Sequence, residues 1–144
     1  MRSEASVEID QTEEKVFNHV ANMEHLPEWS GIVTEVRQPV SGQLQESGRF
    51  TAINNLLGWR FEIPYEVTSF EPNRRLSYWS TGWLVPLGAT FTFERVPQGM
   101  RLTQIQKVEL STFLSLFEPL LAAVVSRPLH KDLVTLKDLL EMRG

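Results

Sequence analysis

An antiparallel β-sheet wrapped around one long C-terminal helix, an α+β architecture, is the fold class that this sequence predicts. Three observations predict it. Between residues 32 and 110 the chain reads as strand after strand, separated by Pro- and Gly-containing links too short to hold crossover helices. Ahead of that stretch a single strand gives way to helical periodicity, and behind it lies the one long helical candidate, 112 to 142. An amphipathic helix of that length must cover an apolar face, and the sheet is the only one on offer.

Each element has its own reason. Ala5, Val7 and Ile9 alternate with Ser6 and Glu8, as in a half-buried strand. Val16, Phe17, Val20 and Ala21 then recur at helical spacing behind Thr12, an N-cap residue, with Glu13 and Glu14 where the helix dipole favours negative charge. Residues 23 to 31 read as a second short helical piece, since Pro27 is tolerated near a helix start and Gly31 can close it. Six more strands follow, at 32–38, 48–55, 59–70, 74–81, 88–96 and 100–110, making seven. Short links such as Pro72-Asn73 and Pro97-Gln98-Gly99 predict antiparallel hairpins and a meander. In 59–70, Trp59, Phe61, Ile63, Tyr65 and Val67 share one face, and Pro64 predicts an edge or a bulge. Leu129, Leu133, Leu136 and Leu140 form the apolar stripe of the closing helix, with Lys131, Asp132, Lys137 and Asp138 read as lying off it. Pro119 predicts a helix start and Pro128 a break.

The 144 residues fit a single domain, 1–144, at roughly 100 to 200 residues per domain. With no cysteine there is no disulfide framework, thiolate metal site or thiol nucleophile. The net charge of -4 has the wrong sign for nonspecific nucleic-acid binding, so no nucleic-acid partner is expected. Residues 1–72 carry -7 and 73–144 carry +3, without long single-sign blocks. The N-terminus lacks the apolar stretch of a secretory signal, and the most apolar run, 119 to 125, falls far short of the ~18 residues of a membrane span. A cytoplasmic protein without a transmembrane segment, monomeric or homodimeric, is the expectation.

Several strings resemble the START-like superfamily, and within it the SRPBCC group of polyketide cyclase/dehydrase-like proteins. Thr12-Glu13-Glu14-Lys15-Val16-Phe17 followed by Met23-Glu24-His25-Leu26-Pro27-Glu28-Trp29 is similar to that group's strand-helix opening. Phe70-Glu71-Pro72-Asn73-Arg74-Arg75-Leu76 resembles its turn into the fifth strand, and the run from Asp132 to Glu141 its closing helix. The resemblance spans nearly the whole chain. It implies a helix-grip fold with a deep cavity between sheet and last helix for a lipid, polyketide, sterol or other hydrophobic molecule. It implies no single chemistry, because its members include transfer proteins, hormone binders, cyclases and co-chaperones.

Strand parity then nominates a ligand site. Phe61, Tyr65, Tyr78, Phe91 and Phe93 fall on the inner face, where they serve either as cavity wall or as plain core. Met100, Leu102, Val108 and Leu110 define the inner face of the last strand, and the same parity places Gln104 and Gln106 there. Buried amides need a partner, whether a ligand, ordered water or each other. Phe117 and Leu121 complete the wall, with Trp29 and the Trp83 loop at the mouth.

Catalytic machinery is thin. His19, His25 and His130 have no HExxH or other metal-ligand spacing, so no metal is expected. No GxSxG, phosphate-loop or dinucleotide string occurs, so no cofactor is expected. Arg60, Arg74, Arg75, Arg95 and Arg101 fall on the inferred solvent face or in turns, unlike the cavity arginines of cyclases in the resembling group. The sequence therefore favours a binder of a hydrophobic small molecule, a carrier, sensor or accessory protein. The alternative is a polyketide aromatase/cyclase or dehydratase that positions its substrate, with weak acid-base help from Trp29, Tyr65 and Tyr78. A third option is a co-chaperone-like interaction module using the outer sheet face or the Trp83-Leu84-Val85-Pro86 loop.

Overall fold

Period-two alternation builds β1 (Arg2–Ile9), whose inward residues Ser3 and Ile9 are buried while Arg2, Glu4, Ser6 and Glu8 face water. The computed structural model describes residues 2–39, 45–56, 58–82, 86–109 and 118–142, and side chains throughout these except at 56 and 118–128. After β1 the chain turns into α1 (Glu13–Ala21), where the Thr12 hydroxyl accepts the Lys15 N–H at 3.3 Å. A single 3-10 turn (Met23–His25) leads to α2 (Leu26–Trp29), with Pro27 in its first turn. Gly31 does not close α2 in the left-handed conformation expected of a helix-ending glycine. Ser30 ends the helix in extended backbone instead, and its hydroxyl accepts the N–H groups of Ile32 and Val33.

The remaining strands are β2 (Val33–Arg37), β3 (Arg49–Leu56), β4 (Trp59–Glu71), β5 (Arg75–Ser80), β6 (Leu87–Val96) and β7 (Gly99–Val108). They form one seven-stranded antiparallel sheet in the order β1-β7-β6-β5-β4-β3-β2. β2 to β7 is therefore the meander that short links dictate, and β1 closes against β7 from Arg2↔Lys107 to Ile9↔Met100. The β6–β7 turn needs glycine at 99: its φ is +140°, and a Cβ there would come within 2.1 Å of the Ile9 carbonyl oxygen.

Two expectations about proline fail for identifiable reasons. β4 is internal, so Pro64 marks no edge, and the register shift of that strand lies at Val67/Ser69. β5 pairs with β4 only from Tyr65↔Ser80 onward, so Pro64 sits past the end of that ladder and its missing N–H breaks no strand bond. The last helix, α3 (Glu118–Met142), carries Pro119 in its first turn, where a proline is tolerated, but runs unbroken through Pro128. One forgone hydrogen bond there is outweighed by the buried stripe that follows, Leu129, Leu133, Leu136 and Leu140.

α3 lies across β1 and against α2 in the helix-grip arrangement. Lys137 Nζ donates to the Glu8 carbonyl at 2.8 Å, the Glu141 carboxylate accepts the Asp10 N–H at 2.9 Å, and Gln11 Nε2 donates to the Leu140 carbonyl at 2.9 Å. The outer sheet face is charged: Arg101 pairs with Glu8 and Glu94, and Arg37 with Glu62. No helix among the described residues is long and apolar enough to cross a membrane.

Candidate functional site

The concave face differs at its two ends. At the end covered by α1, Phe17 meets Phe93 edge-on at 5.0 Å and Phe70 at 5.4 Å. Val16, Val20, Met100, Leu102, Leu133 and Leu136 close around them with 2% exposure or less. Phe93, nominated as cavity wall, is packing at this filled end.

At the other end a cavity of about 210 Å³ opens between α2, α3 and strands β2 to β7. Its strand residues are cross-strand neighbours: Phe61 opposite Asn54, Ile63 opposite Ala52, and Leu87 opposite Val108. Large apolar side chains are missing from several of these inward positions. Ala52 is small, and Asn54, Gln104 and Gln106 are polar, so volume that would otherwise be filled stays open. Under the cavity runs a chain of rings, Phe50 to Tyr65 (5.2 Å), Tyr65 to Tyr78 (4.9 Å), Tyr78 to Phe91 (6.2 Å) and Phe91 to Trp29 (6.1 Å).

Of the nominated residues, Trp29, Phe61, Tyr65, Tyr78, Gln104 and Gln106 line this cavity. Phe91 lies one layer behind, 1% exposed, supporting Trp29 and Tyr78. Trp83, Phe117 and the Leu121 side chain lie outside the described residues. Trp59, expected on the inner face, is 79% exposed because the β3–β4 hairpin overhangs the sheet. Arg60, Arg74, Arg75 and Arg95 are exposed, and none of the five nominated arginines lines the cavity.

The polar groups in the wall set its chemistry. Trp29 Nε1 and Gln104 Oε1 are buried without a hydrogen-bond partner among the described residues, whereas Asn54 Nδ2 donates to the Ala52 carbonyl at 3.0 Å. Burial holds both tyrosines well above the ordinary phenol pKa, and for Tyr65 the neighbouring Tyr78 adds to the shift. They can donate a hydrogen bond but cannot act as bases near neutrality.

Asp132, read from sequence as a surface charge, lines the cavity. Burial pushes its pKa up to about 6, although the Gly31 N–H, donating to Oδ1 at 2.9 Å, and Lys131 pull the other way. A Cβ at residue 31 would stand 3.2 Å from that oxygen, so the glycine serves the carboxylate rather than the helix end. The signal was available: Leu129, Asp132 and Leu136 are spaced i, i+3, i+7, which puts the carboxylate on the flank of the apolar stripe.

A second cluster also escaped the sequence reading. His25 Nδ1 lies 2.7 Å from one Glu28 oxygen and His19 Nε2 3.7 Å from the other, with the imidazole rings stacked at 4.2 Å. The turn at Asn22 folds the chain back between them, so their i, i+6, i+9 spacing matches no single-helix pattern.

A curled antiparallel sheet closed by a C-terminal helix, with a cavity left between them, defines a helix-grip domain. The chain belongs to the polyketide cyclase / dehydrase and lipid transport family, whose model matches residues 1–141. Solved structures share the fold at low identity. TTHA0849 from Thermus thermophilus superposes with a TM-score of 0.83 at 15% identity, over 100% of this chain and 99% of that one. DR_A0006 from Deinococcus radiodurans gives 0.75 at 15% identity, and MLL2253 from Mesorhizobium loti 0.74 at 18%, each over 100% of this chain and 99% of its own. No sequence among curated proteins matches significantly.

Proposed function

We propose that the chain binds a small hydrophobic molecule carrying one hydroxyl-like polar end, as a carrier, sensor or accessory protein. One observation carries this reading: an aromatic and aliphatic cavity wall contains a buried donor, Trp29 Nε1, and a buried acceptor, Gln104 Oε1, neither with a partner among the described residues. Each such group costs ~1 to 3 kcal/mol unless something answers it. A hydroxyl has the chemistry to answer both kinds of group, accepting from an indole N–H and donating to an amide oxygen. A cavity of about 150 Å³ already takes benzene, so the partly open space of about 210 Å³ here suits a one- or two-ring or short-chain alcohol or phenol. Membership of a cyclase and lipid-transport family supports a hydrophobic ligand.

A second reading, an aromatase/cyclase or dehydratase, is favoured by Asp132. Its pKa of about 6 lies in the working range of a general acid or base, and it borders the same space as Trp29 and Gln104.

Tryptophan fluorescence titrations with 2-naphthol and naphthalene test the binding reading. Apolar burial at ~25 cal/mol per Å² should supply most of the affinity of either probe. The hydroxyl should make 2-naphthol bind up to about tenfold more tightly. Gln104→Leu should erase that preference and keep naphthalene binding, whereas Ala52→Phe should block both. Failure of both probes to bind, or an Ala52→Phe variant with wild-type affinity, overturns the proposal.

A further inference from the structure

The strongest chemistry outside the cavity is the cluster of His19, His25 and Glu28, none of which lines the cavity. We propose that these three side chains form a binding site for a divalent first-row transition ion, with Zn²⁺ the ion best suited to two imidazole nitrogens and one carboxylate oxygen. The three donor atoms already lie within 4.8 Å of one another. Four-coordinate zinc, with bonds of about 2.0 to 2.2 Å, holds its donors about 3.3 Å apart. Because the two rings are stacked 15° from parallel and a nitrogen lone pair lies in its ring plane, loading the ion requires the His25 ring to turn out of the stack as the donors draw in, a movement on the accessible side of the cluster. His19 is buried, 8% exposed, and is fixed on the last turn of α1. His25 is half-buried and Glu28 is exposed, so both side chains have room to draw in.

The local backbone holds the donors in place. The Asn22 side chain accepts the Glu24 N–H at 3.2 Å and its carbonyl accepts the His25 N–H at 3.0 Å, which fixes the reversal that brings His25 over His19. The Glu28 carboxylate lies between the two ring nitrogens, an arrangement a cation would replace with shorter bonds. A surface pocket lined by Gln11, Lys15, Asn18, His19 and His25 opens beside the rings, leaving room for water at a fourth position. Hard ions such as Mg²⁺ prefer oxygen donors and six-coordinate shells, so they should not compete. Glu28 directly precedes Trp29, so an occupied site would tie α1 to the helix that carries one cavity wall.

Zn²⁺ titrated by calorimetry into protein purified without a histidine tag tests the proposal, with Co²⁺ absorption reporting coordination geometry. Saturable one-to-one binding is expected, with a visible Co²⁺ spectrum of a four-coordinate site and no response to Mg²⁺. His25→Ala and Glu28→Gln, both changes at accessible side chains, should fold normally by circular dichroism and each weaken Zn²⁺ binding by tenfold or more. His130→Ala, at an exposed position on α3, should bind like wild type. Zn²⁺ should raise the melting temperature of wild type and of His130→Ala only. No saturable binding, undiminished affinity in both cluster variants, or loss of binding in His130→Ala would overturn the assignment and leave the cluster a hydrogen-bonded surface network.

Discussion

The two ends of the concave face are built from the same strands and the same closing helix, yet one is solid and the other hollow. At the filled end α1 sets Phe17 edge-on against Phe93 and Phe70, with Val20 and Leu102 buried in the same apolar cluster. At the open end α2 presents Trp29, and the strand positions beneath it hold Ala52, Asn54, Gln104 and Gln106. The difference lies in side chains rather than backbone. Stability is concentrated where the inward positions are large and apolar, and the space for a ligand exists because the corresponding positions elsewhere are small or polar.

The largest effect should come from the filled end. Leu133→Ala or Leu136→Ala, each at a fully buried position, should destabilise by about 2 to 5 kcal/mol. Phe61→Ala, at a half-buried position bordering the cavity, should cost only about 1 to 2 kcal/mol. Urea unfolding of the three variants checks this ordering, and equal losses would mean that the open end is packed as tightly as the closed one.

The next effect is electrostatic and belongs to the open end. Burial raises the Asp132 pKa to about 6, so the folded state keeps a proton that the unfolded chain, at about 3.9, releases. That contribution to stability is complete below about pH 3.9 and is lost as pH rises through about 6. Asp132→Asn does not ionise, so its stability relative to wild type should climb between those values by about 1 to 2 kcal/mol. The rise stays below the ~2.7 kcal/mol of two full pKa units because water screens a half-buried carboxyl. Unfolding curves at several pH values would show the climb, and a difference that stays flat with pH would remove Asp132 from its half-buried setting.

The smallest effect should be at Lys137, which ties α3 to β1 through the Glu8 carbonyl and pairs with Glu141 one turn along its own helix. Lys137→Ala should cost about 0.5 to 1.5 kcal/mol, as one hydrogen bond beside a surface ion pair does. A loss as large as that of Leu133→Ala would move the grip of the helix from its leucine stripe to its rim.

The architecture was legible because it rests on local periodicity. Alternation marked each strand, short links fixed antiparallel pairing, and the spacing of Leu129, Leu133, Leu136 and Leu140 named the buried side of α3. Parity also put Phe61, Tyr65, Tyr78, Gln104 and Gln106 on the concave face. What parity alone does not give is depth along the strand. Phe93 and Tyr78 share a face, but α1 fills the space above Phe93 and leaves that above Tyr78, a contact between elements far apart in sequence. Asp132 was missed because its charge was weighed above its helical position. The His19, His25 and Glu28 cluster was missed because a backbone reversal, not a repeat, brings the three together.

The central claim is that the open end of the sheet is a ligand cavity whose polar end is read by Trp29 and Gln104. A crystal structure of the protein soaked with 6-bromo-2-naphthol, with the bromine located by its anomalous scattering, tests it most directly. The expected result is one bromine site inside the cavity between α2 and α3, with the naphthol oxygen within hydrogen-bond distance of Trp29 Nε1 and Gln104 Oε1. A bromine found only on the surface, with side chains filling the space among Trp29, Ala52 and Gln104, would contradict it.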